Sequence, residues 1–168
     1  MPETILIVDD DPVQRRLLEA MTARFGYEAL TADGGDAALA LLSGPEASRI
    51  HCVILDLVMP DLDGLGMLAK MRERGLRIPV IVQTAHGGID NVVSVMRAGA
   101  ADFVVKPVGP ERLQVSLRNA LATHALEGEL QRMRHARAGT LTFRDPVSRS
   151  GRTASSLCNS GRLAPACR

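Results

Sequence analysis

The 168-residue chain has no tryptophan, one tyrosine, three phenylalanines and three cysteines. Cys52, Cys158 and Cys167 have no metal-binding spacing and are odd in number, which argues against both a zinc knuckle and a disulfide framework. Cys52 lies inside an apolar stretch and reads as a small core residue. No apolar run approaches the roughly 20 residues of a membrane span, and no basic segment precedes an apolar one at the N-terminus, as a secretory signal would require. Charge of one sign is also lacking: the net charge is +1, so nothing in the overall balance calls for nucleic acid or a membrane surface as partner. These features together indicate a cytoplasmic globular chain, long enough for one ordinary domain and a modest extension.

What is present is an alternation of apolar runs and helical patterns. Strands are expected over 4–8, 27–31, 50–56, 79–83 and 102–105, with helices over 13–25, 35–42, 65–74, 92–98 and 110–136. Val13, Leu17, Leu18, Met21 and Phe25 are expected to form the buried face of the first helix, and Asp90 to cap the fourth. Five strand–helix repeats predict an α/β fold, a (βα)5 doubly wound five-stranded parallel sheet with a long C-terminal helix.

Such sheets place their ligands at the carboxyl ends of the strands. In this chain those ends carry Asp9 and Asp10, Asp56, Thr84 and Lys106. Three clustered carboxylates need a proton or a cation, and hard oxygen ligands suit Mg²⁺. Lys106 adds a fixed positive charge, Thr84 a hydroxyl donor, and the set fits the neutralisation of a phosphoryl group arriving at an aspartate. Asp11, just before Pro12, reads as a helix start rather than a metal ligand.

IVDDD (7–11), ILDLVMPDLDG (54–64), QTAH (83–86) and RAGAADFVVKP (97–107) stand in order, and on these motifs the chain resembles the receiver domain of two-component response regulators, with a flavodoxin-like fold, over about residues 4–122. The resemblance implies that Asp56 is the phospho-acceptor, served by the phosphohistidine of a sensor histidine kinase. It implies that Asp9, Asp10, Asp56 and the main-chain carbonyl of Val58 hold Mg²⁺, that Lys106 pairs with the phosphoryl group, and that Thr84 and Phe103 switch. The implied output surface is the 90–98 helix, the fifth strand and the start of the last helix. A haloacid-dehalogenase-like phosphohydrolase is the competing enzyme reading, but it needs a second acid two residues after the nucleophile. Two after Asp56 stands Val58, and two after Asp9 stands Asp11 but with no Thr/Val-type motif following. A module that dimerises without phosphorylation is the third. Val58 has no group to orient a hydrolytic water, whereas His86 could either shield the site or position that water; a phosphate lifetime of minutes or longer is expected.

The expected organisation is a receiver over 1–122, a helical linker over 123–137 and a disordered tail over 138–168. Leu126, Leu130 and Met133 form a narrow apolar seam, which offers a homodimer through the 90–137 face and linker. The tail carries five arginines and one acid, hence +4 against about −3 for the rest. It lacks a folded reader and aromatics interleaved with its basic residues, so direct nucleic-acid binding by this chain is not expected. QTAH, the Ala-Gly-Ala-Ala-Asp-Phe stretch and LTFRD resemble regulators that activate sigma-54-dependent transcription. No Gly-x-x-x-x-Gly-Lys-Ser/Thr loop is present, so the ATPase module of those regulators is missing from this chain.

Overall fold

A computed structural model describes residues 1–144, with side chains to residue 138. Of the tail expected to be disordered over 138–168, residues 138–144 are helical instead, and the remainder lies outside the described residues. The order of elements is β1 (Thr4–Val8), α1 (Pro12–Arg24), β2 (Glu28–Ala32), α2 (Gly35–Ser43), a 3-10 turn (Pro45–Arg49), β3 (Ile50–Asp56), α3 (Gly64–Glu73), β4 (Val80–Thr84), α4 (Ile89–Arg97), β5 (Asp102–Val105) and α5 (Pro110–Arg144). The strands form one parallel sheet in the order β2-β1-β3-β4-β5. The direction of winding reverses between β1 and β3, which is where a doubly wound sheet opens a crevice at its carboxyl edge.

Both faces of the sheet are covered, which is why its central strands are apolar throughout rather than alternating. Leu6, Val8, Val53, Leu55, Val80 and Val82 pack with α2, α3 and α4 through Leu39, Leu42, Met67, Met71 and Val95. The opposite side chains, Ile5, Ile7, Cys52, Ile54, Ile81 and Val104, pack with α1 and α5 through Leu18, Leu113, Leu117 and Leu121. Cys52 is fully buried, and burial pushes its thiol up to about 12. A thiol held neutral there is an apolar filler.

Local signals set the helix ends. Asp11 caps α1, its side chain accepting from the Val13 N–H at 2.9 Å, and Asp63 caps α3 by accepting from Gly66 N–H at 2.7 Å. Gly26, Gly75 and Gly99, at φ 90, 70 and 106, close α1, α3 and α4 in a backbone region costly for other residues. Three expectations are corrected. Asp90 lies inside the first turn of α4, whose cap position is Gly88 without a side-chain bond. Val13 and Leu17 are exposed, while Thr22 is buried because its hydroxyl donates to the Leu18 carbonyl at 2.6 Å. Helix α5 continues to Arg144, past the expected end at 136, because no proline interrupts it after Pro110.

The chain falls into two units, Met1–Leu126 and the residues from Glu127 onward. In the first, α5 buries Leu113, Leu117, Ala120 and Leu121. In the second, the described helix exposes Leu130 and Met133. No described helix is long and apolar enough to cross a membrane.

Candidate phosphoryl-transfer site

Four strand ends deliver the site. β1 stops at Val8 and hands over to Asp9, whose N–H donates to the Ala32 carbonyl at the end of β2 (3.2 Å). The Asp9 carboxylate is buried, at 1% exposure. Its Oδ1 accepts from the Asp11 N–H at 2.9 Å and its Oδ2 from Lys106 Nζ at 3.0 Å. The Asp9 carbonyl accepts from Arg15 Nη1 at 2.7 Å, so α1 is tied back onto the strand end. Asp10, the next residue, is exposed.

Asp56 ends β3 at 7% exposure. Its Oδ2 lies 3.3 Å from Lys106 Nζ, and its Oδ1 makes a long 3.4 Å contact with the Val58 N–H. Asp9, Asp10 and Asp56 each offer a carboxylate oxygen within 4.8 Å of the others. Three hard oxygen donors at that spacing, one of them open to solvent, fit a small divalent cation such as Mg²⁺.

The electrostatics follow from that crowding. Burial, assisted by the Asp9 charge, pushes the Asp56 carboxyl above the usual carboxylate value, although Lys106 pulls it back. For Lys106, burial works against the charge, but the Asp9 hydrogen bond and the charges of Asp56 and Asp9 outweigh it and raise its pKa. One shared cation thus sits between two acids, and a third acid adds to the negative excess.

The loop after β3 is shaped by close approach. A Cβ at Gly64 would lie 2.7 Å from the Asp56 carbonyl oxygen and 2.9 Å from the Leu57 Cα. Only glycine fits there, and the Gly64 N–H donates to the Leu57 carbonyl (3.0 Å), closing the loop. Val58 stands 68% exposed within it.

Thr84 ends β4 and is buried. Its hydroxyl donates to the His86 carbonyl (3.0 Å) and accepts from the His86 N–H (3.1 Å). Its hydroxyl is thus engaged with its own loop. Lys106 follows β5, its N–H donating to the Thr84 carbonyl (2.8 Å), and the Lys106–Pro107 peptide is cis. Phe103 is half-buried against the core that contains Val95 of α4.

The structure therefore brings together the side chains of Asp9, Asp10, Asp56 and Lys106, with Val58 and Thr84 touching Asp56 and Lys106 through main-chain groups and Phe103 packed against the core nearby. Asp11 caps α1 instead of joining the acids. Two participants escaped the sequence reading. Arg15 could have been noticed as an arginine one turn into a helix that begins beside three acids. Gln83 is a polar residue at the end of an otherwise apolar strand, and it is 1% exposed.

Residues 5–118 match the family model for the response regulator receiver domain. The chain is 38% identical over 117 residues to a probable transcriptional regulator, ycf27, of Cyanophora paradoxa, covering 70% of this chain and 47% of that protein. It is 35% identical over 134 residues to the regulatory protein AtoC of Escherichia coli K12, covering 79% and 28% respectively. Among solved structures, NtrX from Brucella abortus superposes with a TM-score of 0.72 at 33% identity, covering 79% of this chain and 30% of that one. The chain thus spans from about a quarter to about half of the length of these relatives. Sheet order, the acidic edge at the winding reversal and a family match across five strands and their helices agree: the chain belongs to the response regulator receiver domain family.

Proposed function

We propose that this chain is a phosphorylation-dependent switch that accepts a phosphoryl group on Asp56 from the phosphohistidine of a sensor histidine kinase. The observation that carries this reading is the placement of Lys106 Nζ 3.0 Å from Asp9 and 3.3 Å from Asp56, at the mouth of a three-carboxylate cluster. An Asp56 oxygen attacks phosphorus, the O–P bond forms, the P–N bond to the donor imidazole breaks, and the departing nitrogen takes up a proton. Lys106 holds a phosphoryl oxygen as negative charge moves toward Asp56.

Asp9, Asp10, Asp56 and the Val58 main-chain carbonyl would hold Mg²⁺. When bound, the ion offsets the crowded carboxylates and orients the phosphoryl oxygens. Thr84 then exchanges its hydrogen bond to His86 for one to the phosphoryl group, and Phe103, half-buried beside α4, follows. The equilibrium between two arrangements of the α4–β5–α5 face shifts accordingly. Leu126, Leu130 and Met133, each more than half exposed at helical spacing, offer a seam for a second copy. An output in transcription control, within a cytoplasmic two-component pathway, is part of this reading, and relatives named as a probable transcriptional regulator and a regulatory protein support the transcriptional output. The chain acts as an acceptor and not as a phosphohydrolase, because the position two residues after Asp56 is Val58 and supplies no acid.

Incubation with Mg²⁺ and acetyl phosphate, followed by intact mass measurement, tests the reading. The expected result is one added phosphoryl mass, lost with Asp56→Ala or with chelation of Mg²⁺. Retention of the adduct in Asp56→Ala, or steady turnover of phosphate esters without an adduct, would overturn it.

A further inference from the structure

Gln83 is the penultimate residue of β4, is 1% exposed, and its Nε2 has no hydrogen-bond partner among the described residues. Buried polar groups are nearly always satisfied, so an unmet donor in the sheet calls for a physical account. Apolar residues surround its position in the sheet: Ile81 precedes it on the same face of β4, and Val104 is its register partner in β5. A methionine or leucine would fill a similar volume without a donor.

The strand register sets Gln83 directly beside Asp56. Because side chains alternate along a strand, Asp56 shares a face with Ile54 and Gln83 shares one with Ile81, and these two isoleucines lie in the same core. The carboxamide and the carboxylate are therefore lateral neighbours, on strands about 4.8 Å apart. Thr84, next along β4, takes the other face, that of Val80 and Val82. Two consecutive residues thus offer hydrogen-bond donors on the two sides of one strand end. The Asp56 oxygens are turned to Lys106 (3.3 Å) and toward Val58 N (3.4 Å), and neither takes the amide.

We propose that Gln83 is a positioning residue of the phosphorylated state, its Nε2 donating to an oxygen of the Asp56 acyl phosphate. This rests on the phosphorylation of Asp56 proposed above. When the O–P bond to Asp56 forms and the donor's bond to phosphorus breaks, the two carboxylate oxygens are replaced by one acyl oxygen, one bridging oxygen and three phosphoryl oxygens. The pocket then holds more acceptors, while Lys106 is the cation that faces the Asp56 carboxylate. A neutral amide adds a donor without adding charge. In the resting state the same amide is unpaired and lowers stability, so pairing it in the phosphorylated form shifts the balance toward that form.

The test uses the full chain with Gln83→Met and Gln83→Leu. Thermal midpoints are measured with and without acetyl phosphate and Mg²⁺, and intact mass is used to confirm equal loading. Both variants are expected to melt higher than the parent when unphosphorylated, and to lose more than half of the parent's midpoint rise on phosphorylation. In the parent, the Gln83 side-chain amide resonances are expected to move on phosphorylation. Equal shifts of both states in the variants, destabilised or unfolded variants, or an unmoved amide signal would each overturn the proposal and leave Gln83 a structural polar group. Failure of the parent chain to take up phosphate is a different result, which removes the Asp56 reading itself.

Discussion

Lys106 lies closer to Asp9 than to Asp56, at 3.0 Å against 3.3 Å, so its nearest partner is Asp9 and not the proposed acceptor. Lys106→Met would leave two buried carboxylates without their shared cation. Removing one member of a fully buried pair costs about 3–5 kcal/mol, and the partial exposure of Lys106 makes about 1–3 kcal/mol the expected loss. Urea denaturation at pH 7 measures it. In an Asp56→Asn background the same substitution is expected to cost less, since one of the two acids is then neutral.

Asp56→Asn alone is expected to stabilise the protein at neutral pH. The folded protein holds the Asp56 proton more tightly than the unfolded chain does, so ionisation removes stability as pH rises from the ordinary aspartate range through the raised folded value. The variant's advantage is therefore full at pH 7 and vanishes below the ordinary aspartate range. A midpoint rise of a few degrees is expected, at roughly 2–8 °C per kcal/mol for a domain of this size. Added Mg²⁺ narrows the difference by stabilising the parent more. Lys106 behaves in the opposite sense at the alkaline end: its stabilising charge persists below the ordinary lysine range and is lost as pH rises past its raised value.

Neighbouring acids have separable roles. Asp11→Ala removes the cap of α1 and is expected to cost about 1 kcal/mol, with Mg²⁺ affinity nearly unchanged. Asp10→Ala is expected to leave the melting temperature almost as it is and to weaken Mg²⁺ binding at least several-fold. Calorimetric titration with Mg²⁺ and thermal melts of the two variants distinguish these outcomes.

Gly64→Ala would force a Cβ to within 2.7 Å of the Asp56 carbonyl oxygen, where the neighbour is backbone and cannot step aside. A loss of about 2–3 kcal/mol is expected, together with impaired phosphorylation because the acceptor strand end must shift. Gly128→Ala is the contrasting case. It lies inside α5 with nothing within 4 Å of the added methyl, and a gain of about 0.5–1 kcal/mol is expected.

Val58 is exposed beside Asp56, the proposed acceptor, and its side chain has no group able to hold a water by hydrogen bonding. The phosphorylated form is expected to last minutes or longer in Mg²⁺ without a phosphatase. Val58→Asn is expected to shorten that time several-fold. Loss of the phosphoryl mass with time is the measurement, and a parent half-life of seconds would contradict the expectation.

Much of this architecture was legible because apolar periodicity and turn residues agree along the chain. The acids after β1, the carboxylate ending β3 and the lysine after β5 could be read as one site once the strands were taken as parallel. Side-chain direction was less accessible. Thr22 buries itself by bonding its own helix, so counting apolar residues put Val13 and Leu17 inside instead. Gly88 and not Asp90 occupies the cap of α4, because helix entry depends on backbone angles that a residue list does not carry. The resting partners of Lys106 and Thr84 depend on ångström-scale competition between nearby groups, and Gln83 read simply as the end of a buried strand.

The ion pair between Lys106 and Asp9 joins residues 97 positions apart, just past the first strand and just past the last. A chain still emerging from the ribosome would already carry Asp9, Asp10 and Asp56, yet it would lack their counter-charge until β5 had docked. Assembly of the site therefore waits for β5, and a chain that stopped before Lys106 would hold its crowded carboxylates without their buried counter-charge.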